Sequence, residues 1–187
     1  MAFIRKILLG IGLLSGILLS CTKDRLFEKA PTVTIVPEED TLILPLKINE
    51  FLASNNGSSA DENGEFDDWF EIYNPNAIQV DVGGYFVTDN LENLTFFQLP
   101  AGSSLTRIPP KGRLLIWCDG TPDQGPLHVP FKLSGSGEQI GLAKPNEEVV
   151  DTLTFVAQSS DISFGRIADG AMQWKFFSIP TPGEPNQ

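Results

Sequence analysis

Asp68-Trp69-Phe70-Glu71-Ile72-Tyr73-Asn74-Pro75 opens on a strand-length run of aromatic and aliphatic residues and closes on an Asn-Pro pair. Such side chains favour extended backbone, and Asn before Pro starts a turn, so the stretch reads as a strand with its own stop signal. The same design recurs on either side. Short apolar runs occupy 46–53, 69–73, 78–82, 85–88, 96–99 and 113–118, then 131–133, 139–143, 149–156, 163–168 and 173–178. Between them stand turn-forming clusters such as Asn55-Asn56-Gly57, Gly83-Gly84, Pro109-Pro110-Lys111-Gly112, Asp119-Gly120-Thr121-Pro122 and Pro145-Asn146. Many short strands at this spacing describe an all-β sandwich or barrel. No helical stripe and no fixed-period repeat interrupts the series.

Composition agrees with that reading. The chain has 187 residues, 41% of them hydrophobic, which suits one medium-sized domain and a processed leader. Its 13 Phe, 17 Gly and 14 Pro favour strands and tight turns over long helices. The formal net charge is -11, and Arg5 and Lys6 are the only charged residues before Cys21, so the part that follows is more acidic still. Nucleic-acid binding needs Lys and Arg to neutralise phosphates, and no basic patch is visible to supply them. A nucleic-acid partner is therefore not expected.

In order along the chain stand Ile48-Asn49-Glu50-Phe51, the opening stretch 68–75, Val80-Asp81-Val82-Gly83-Gly84-Tyr85 and Thr88-Asp89. Ile108-Pro109-Pro110-Lys111-Gly112-Arg113-Leu114, the segment 131–140 and Val149-Val150-Asp151-Thr152-Leu153-Thr154-Phe155 come next. Ser163-Phe164-Gly165-Arg166, Asp169-Gly170, Trp174 and Thr181-Pro182-Gly183-Glu184-Pro185-Asn186 close the series. In order and spacing these residues resemble the lamin tail domain, over about 46–187. The resemblance implies an immunoglobulin-like β-sandwich. The functions it implies are varied: nuclear scaffolding in lamins, and accessory domains beside hydrolases or surface proteins in bacteria. Fold alone does not choose among them. The landmarks also have local reasons to exist. Gly83-Gly84 permits backbone geometry that other residues resist, and Pro109-Pro110 stiffens the approach to a core strand. The final Thr-Pro-Gly turn is expected to fold the C-terminal tail back on the sandwich, and Arg166 is expected to pair with a carboxylate such as Glu71.

The amino-terminal end carries a different signal. Residues 1–6 are basic, 7–19 form an apolar core, and Leu18-Leu19-Ser20-Cys21 resembles the lipobox of bacterial lipoproteins. Thirteen residues fall short of the roughly 20 that a spanning helix needs, so a signal-peptide core fits better than a permanent span. The alternatives are an ordinary secretory leader with an incidental cysteine, or a short uncleaved anchor. The lipobox reading makes 1–20 a lipoprotein signal peptide and Cys21 the lipidation site, bearing diacylglycerol and palmitate whose buried methylenes each contribute roughly 0.8 kcal/mol to membrane retention. Residues 21–45, with mixed charges and Pro31, Pro37 and Pro45, then form an extended tether to a domain at 46–187. Segments 32–36 and 42–46 are candidate edge strands within it. The expected location is the bacterial cell envelope, lipid-anchored, periplasmic or surface-exposed. With Cys21 lipidated, Cys118 has no partner. In the run 114–118 it is expected to be an inert, buried thiol.

The densest polar cluster is Asp61-Glu62-Asn63-Gly64-Glu65-Phe66-Asp67-Asp68, in the connection between the first two strands. Two readings are open. It is a solvated acidic hairpin loop turned by Asn63-Gly64, or a weak calcium site with Asp61, Asn63, Glu65, Asp67 and Asp68 as oxygen ligands. The full EF-hand pattern is absent. His128 is the one histidine, without a Gly-x-Ser-x-Gly elbow, and is expected to be a packing or edge residue rather than a base. Zinc is not expected on a count of one His and one available Cys. Paired carboxylates in a mobile loop would not keep the fixed separation that glycoside hydrolysis requires. Ser134-Gly135-Ser136-Gly137 lacks the lysine and helix of a phosphate loop. Asp40-Thr41-Leu42 and Asp151-Thr152-Leu153 resemble O-glycosylation acceptors, the first in the tether and the second inside a strand.

The function expected is a non-catalytic envelope lipoprotein, a binding or structural module presenting loops or sheet edges to a protein or glycan. The rival is an accessory domain or weak hydrolase using the acidic loop.

Overall fold

A computed structural model describes residues 43–187. The expected leader at 1–20, the lipidated Cys21, segments 32–36 and Asp40-Thr41-Leu42 lie outside the described residues. Twelve strands follow in order: β1 (Lys47–Leu52), β2 (Asp68–Tyr73), β3 (Val80–Asp81), β4 (Phe86–Thr88), β5 (Phe97–Gln98) and β6 (Arg107–Ile108). Next come β7 (Arg113–Cys118), β8 (His128–Val129), β9 (Gly137–Ala143), β10 (Val149–Val156), β11 (Ser163–Arg166) and β12 (Trp174–Phe177). One sheet runs β12-β11-β1-β2-β7-β8, a second runs β10-β9-β4-β5, and β3 pairs with β6 in a short ribbon. This is the all-β, immunoglobulin-like sandwich that the sequence resemblance implied.

Alternation along β2 and β7 builds the layers. Phe70, Ile72, Leu114, Ile116 and Cys118 enter the main core with Ile140, Leu142 and Phe155 of the second sheet. Trp69 and Trp117, paired across β2 and β7, form a separate cluster with Leu52. Period-two side chains thus give the larger sheet two buried faces, one inward and one outward.

β1 keeps both faces occupied by adding a residue. Ile48 pairs with Ile72 and Glu50 with Glu71, so Asn49 is extra and forms a β-bulge. The bulge shifts the alternation: Ile48, Phe51 and Ala53 enter the core, while Glu50 and Leu52 serve the other face. A second bulge in β10, at Val150, lies between the Val149–Ala143 and Asp151–Leu142 pairs. The Asp151 carboxylate accepts the Ile48 N–H at 2.9 Å, which ties β10 of one sheet to the bulged segment of the other.

The C-terminal segment folds back as expected. The Thr181 N–H donates to Glu50 at 3.0 Å, and the Gly183 N–H donates to Glu71 at 2.7 Å. The Asn186 side chain donates to the carbonyls of Asn49 and Arg166. Gly165 makes room for this closure, since a Cβ there would sit 2.9 Å from Glu50 Cγ and 3.0 Å from Asn186 Nδ2.

Several expectations change in detail. Segment 131–133 is not a strand. Phe131 and Leu133 are buried in the core as loop residues, and Lys132 makes one isolated bridge to Asp119. The strand in that region is β8, two residues long and parallel to β7, too short for alternation to mark. Segment 43–46 is irregular rather than a strand. Leu44 is nevertheless held to the domain, its N–H donating to Asn76 at 2.7 Å and its carbonyl accepting from Asn76 at 3.0 Å. The end of the expected tether is therefore docked on the domain.

Candidate functional site

The connection between β1 and β2 is laced with hydrogen bonds, against the expectation of a mobile loop. Asn55 donates through its side chain to the carbonyls of Ser59 and Asp67 at 2.6 and 2.8 Å, and Trp69 Nε1 donates to Ser59 Oγ at 2.9 Å. The N–H groups of Asn56 and Gly57 donate to Asp161. Asp61 organises the tip: its Oδ1 accepts the N–H groups of Asn63 and Glu65 at 2.9 and 2.8 Å. Gly64 takes φ +83 to complete the turn, a left-handed conformation that a side chain resists. The Asn63-Gly64 turn is thus present, but inside an ordered loop.

The five expected calcium ligands separate. Carboxylate oxygens of Asp61, Glu65 and Asp67 lie within 4.8 Å of one another. Asn63 instead gives its side-chain amide to Asp61 Oδ2 at 3.2 Å, and Asp68 accepts the Asn55 N–H at 3.0 Å. Burial pushes the Asp67 carboxyl upward, with the Asp119 charge adding to the effect. Its Oδ2 is sealed from solvent and has no hydrogen-bond partner among the described residues.

Beside this loop the fold assembles a group that the linear sequence does not show. His128 on β8 is 0% exposed. Its Nδ1 lies 2.6 Å from Asp119 Oδ2 and its Nε2 lies 3.1 Å from Glu62 Oε1. Burial draws the His128 pKa down, but the hydrogen bonds and charges of Asp119 and Glu62 outweigh it, so the net shift is upward. For Asp119, burial pushes up, while hydrogen bonds from Thr121 and the His128 ring hold the carboxyl below its usual range. Atoms of Asp61, Glu62 and His128 form a second set lying within 4.8 Å of one another. The chain brings Glu62 to His128 across 66 positions, so no local motif announces the cluster.

Cys118 is buried and free, as expected, and burial pushes its thiol well above the ordinary range. Such a thiol packs and does not react.

Arg166 pairs with a carboxylate as expected, but that of Asp151 rather than Glu71. Its Nε donates to the Ile48 carbonyl at 2.8 Å, and it pairs with Asp151 at 2.9 Å. Glu71 lies instead beside Arg113, whose Nε is 3.7 Å from Glu71 Oε1 and whose main partner is Asp169. The bulge at Asn49 accounts for the difference, because it brings the Ile48 backbone and Asp151 under the guanidinium. Asp151-Thr152-Leu153 lies inside β10 with Asp151 committed to this contact.

A family model described as Lamin Tail Domain matches residues 43–157. β11 and β12, which complete the six-stranded sheet, and the folded-back tail lie past the matched span. No curated protein matches the chain.

Proposed function

Because the chain belongs to the lamin tail domain family, a non-enzymatic immunoglobulin-like fold, we propose that it is a non-catalytic lipoprotein of the bacterial cell envelope. In this reading residues 1–20 are removed, Cys21 receives the lipid, and the domain acts as a binding or structural module for an envelope protein or glycan. The observation that supports a non-catalytic role is the state of the reactive side chains. Both ring nitrogens of His128 face carboxylates, and Cys118 is sealed in the core. What supports the anchor is the basic start, the short apolar core and Leu18-Leu19-Ser20-Cys21.

Metabolic labelling with a palmitate analogue tests the anchor. Label is expected on the wild type and absent from Cys21→Ala, and an unlabelled wild type overturns the placement. Crosslinking in intact cells followed by partner identification tests the module. The acidic loop adds weak, millimolar calcium binding through Asp61, Glu65 and Asp67. No heat and no melting shift at millimolar calcium removes that part.

A further inference from the structure

We propose that Asp61, Glu62 and His128 form a site for one divalent transition-metal cation of the zinc class, with Asp119 as the positioning carboxylate behind the histidine. The inference goes beyond the proposed function and does not depend on it.

The histidine is prepared as metal-binding imidazoles are. A ligating His usually gives its other ring N–H to a carboxylate, which fixes the tautomer and the ring orientation. Here Nδ1 meets Asp119 Oδ2 at 2.6 Å in a buried setting. A proton on Nδ1 leaves the Nε2 lone pair pointing at Glu62 Oε1, 3.1 Å away. Lone pair against carboxylate is repulsive unless a second proton or a cation lies between them. Zinc with bonds of about 2.0–2.1 Å to nitrogen and oxygen places its tetrahedral ligands about 3.3 Å apart, close to this spacing.

The rest of the site fits the same occupant. Asp61 Oδ1 is taken by two backbone N–H groups, which leaves Oδ2, with one contact from Asn63, to face the cation. Three protein ligands leave a fourth position for water. Gly125 forms one wall. A Cβ there would press on His128 Cδ2 at 3.2 Å and touch Glu62 Oε1 at 3.6 Å, so glycine lets the chain pass close beside the imidazole.

Asp67 gathers with Asp61 and Glu65 in a separate, all-carboxylate set that lacks the imidazole. Calcium prefers an all-oxygen shell, whereas imidazole with carboxylates suits zinc and its neighbours. A bound ion would fasten the tip of the β1–β2 loop to the β8 edge.

His128 is the one histidine in the chain, so the imidazole ¹⁵N spectrum of the full-length protein contains a single ring. Zinc chloride added in chelator-free buffer is expected to shift Nε2 with saturation at one equivalent, and calorimetry to give a micromolar or tighter Kd. Affinity is expected to fall at least tenfold in Glu62→Gln and in His128→Gln. Glu62 is 62% exposed at its side chain, so its variant tests the site even if the histidine variant does not fold. An unmoved ring at excess zinc overturns the proposal. So does undiminished zinc affinity in Glu62→Gln, or an equal Nε2 shift with calcium chloride alone. A failed palmitate labelling leaves this result untouched, and the reverse also holds.

Discussion

Glu50 on β1 lies directly opposite Glu71 on β2, and both carboxylates are fully buried beneath the C-terminal segment. Like charges in that position repel, so the arrangement depends on the donors that surround them: Ser163, Thr181, Asn49 and Gly183.

This pair sets a pH dependence. Burial pushes the Glu71 pKa up to about 7; the Asn49 amide, the Gly183 N–H and Arg113 pull it down, while the charge of Glu50 adds to the rise. In the unfolded chain the group titrates near 4.5, so between the two values the native state holds a proton that the unfolded state has released. The stability it contributes is fully present below 4.5 and is lost as pH rises through about 7, a change on the order of 3 kcal/mol. Urea midpoints of wild type and Glu71→Gln, measured at pH 5 and pH 8, should diverge in that sense. Curves that run parallel across this window would disprove the assignment.

Asn186 should matter far more than its neighbour. Its amide serves two buried carbonyls and its Oδ1 accepts from Asn49 at 3.2 Å, so Asn186→Ala should cost about 2 kcal/mol through the groups left unpaired. Gln187 is exposed, and Gln187→Ala should fall within about 0.5 kcal/mol of wild type. Equal melting temperatures for the two variants would show that the tail does not close the sheet.

A double-mutant cycle separates the two candidate partners of Arg166. Arg166→Ala with Asp151→Ala should give a coupling of about 1–3 kcal/mol, because the pair is largely buried and shares the Ile48 backbone. Arg166→Ala with Glu71→Gln should give less than half of that. The reverse order would restore the pairing expected from sequence.

Cys118 should resist alkylation in the native state and react only on global unfolding, as its full burial within β7 requires. Iodoacetamide labelling followed across a urea titration should track the unfolding curve. Labelling well before the transition would show that β7 opens locally.

What the sequence disclosed and what it withheld divide on physical lines. β7 and β10 could be read to the residue, because each is an unbroken run of strand length that follows a proline-containing turn. β8 could not, since two residues in a parallel pair make no period. The apolar character of 131–133 reflected burial of Phe131 and Leu133, and burial alone does not distinguish loop from strand. The partner of Arg166 was misread because a bulge elsewhere, at Asn49, decides it. Of the acidic cluster, composition revealed the oxygens. Their sorting into Asp61, Glu65 and Asp67 came from which side chains the backbone claimed. His128 looked isolated because Glu62, one of its two acid neighbours, is remote in the chain, and because the other, Asp119, sits in what reads as a plain turn.

The extra residue at Asn49 works as a phase shifter for its strand. Excising that residue would leave Ile48 opposite Ile72, Glu50 opposite Glu71 and Phe51 still inward in an unbroken ladder, and would remove the amide that serves Glu71, Asp169 and Asn186. What holds the extra position is therefore the company its side chain keeps, from β2 to the chain's last turn. The loop that follows the strand is under looser bookkeeping, because lengthening a surface connection adds only slowly to the cost of closing it.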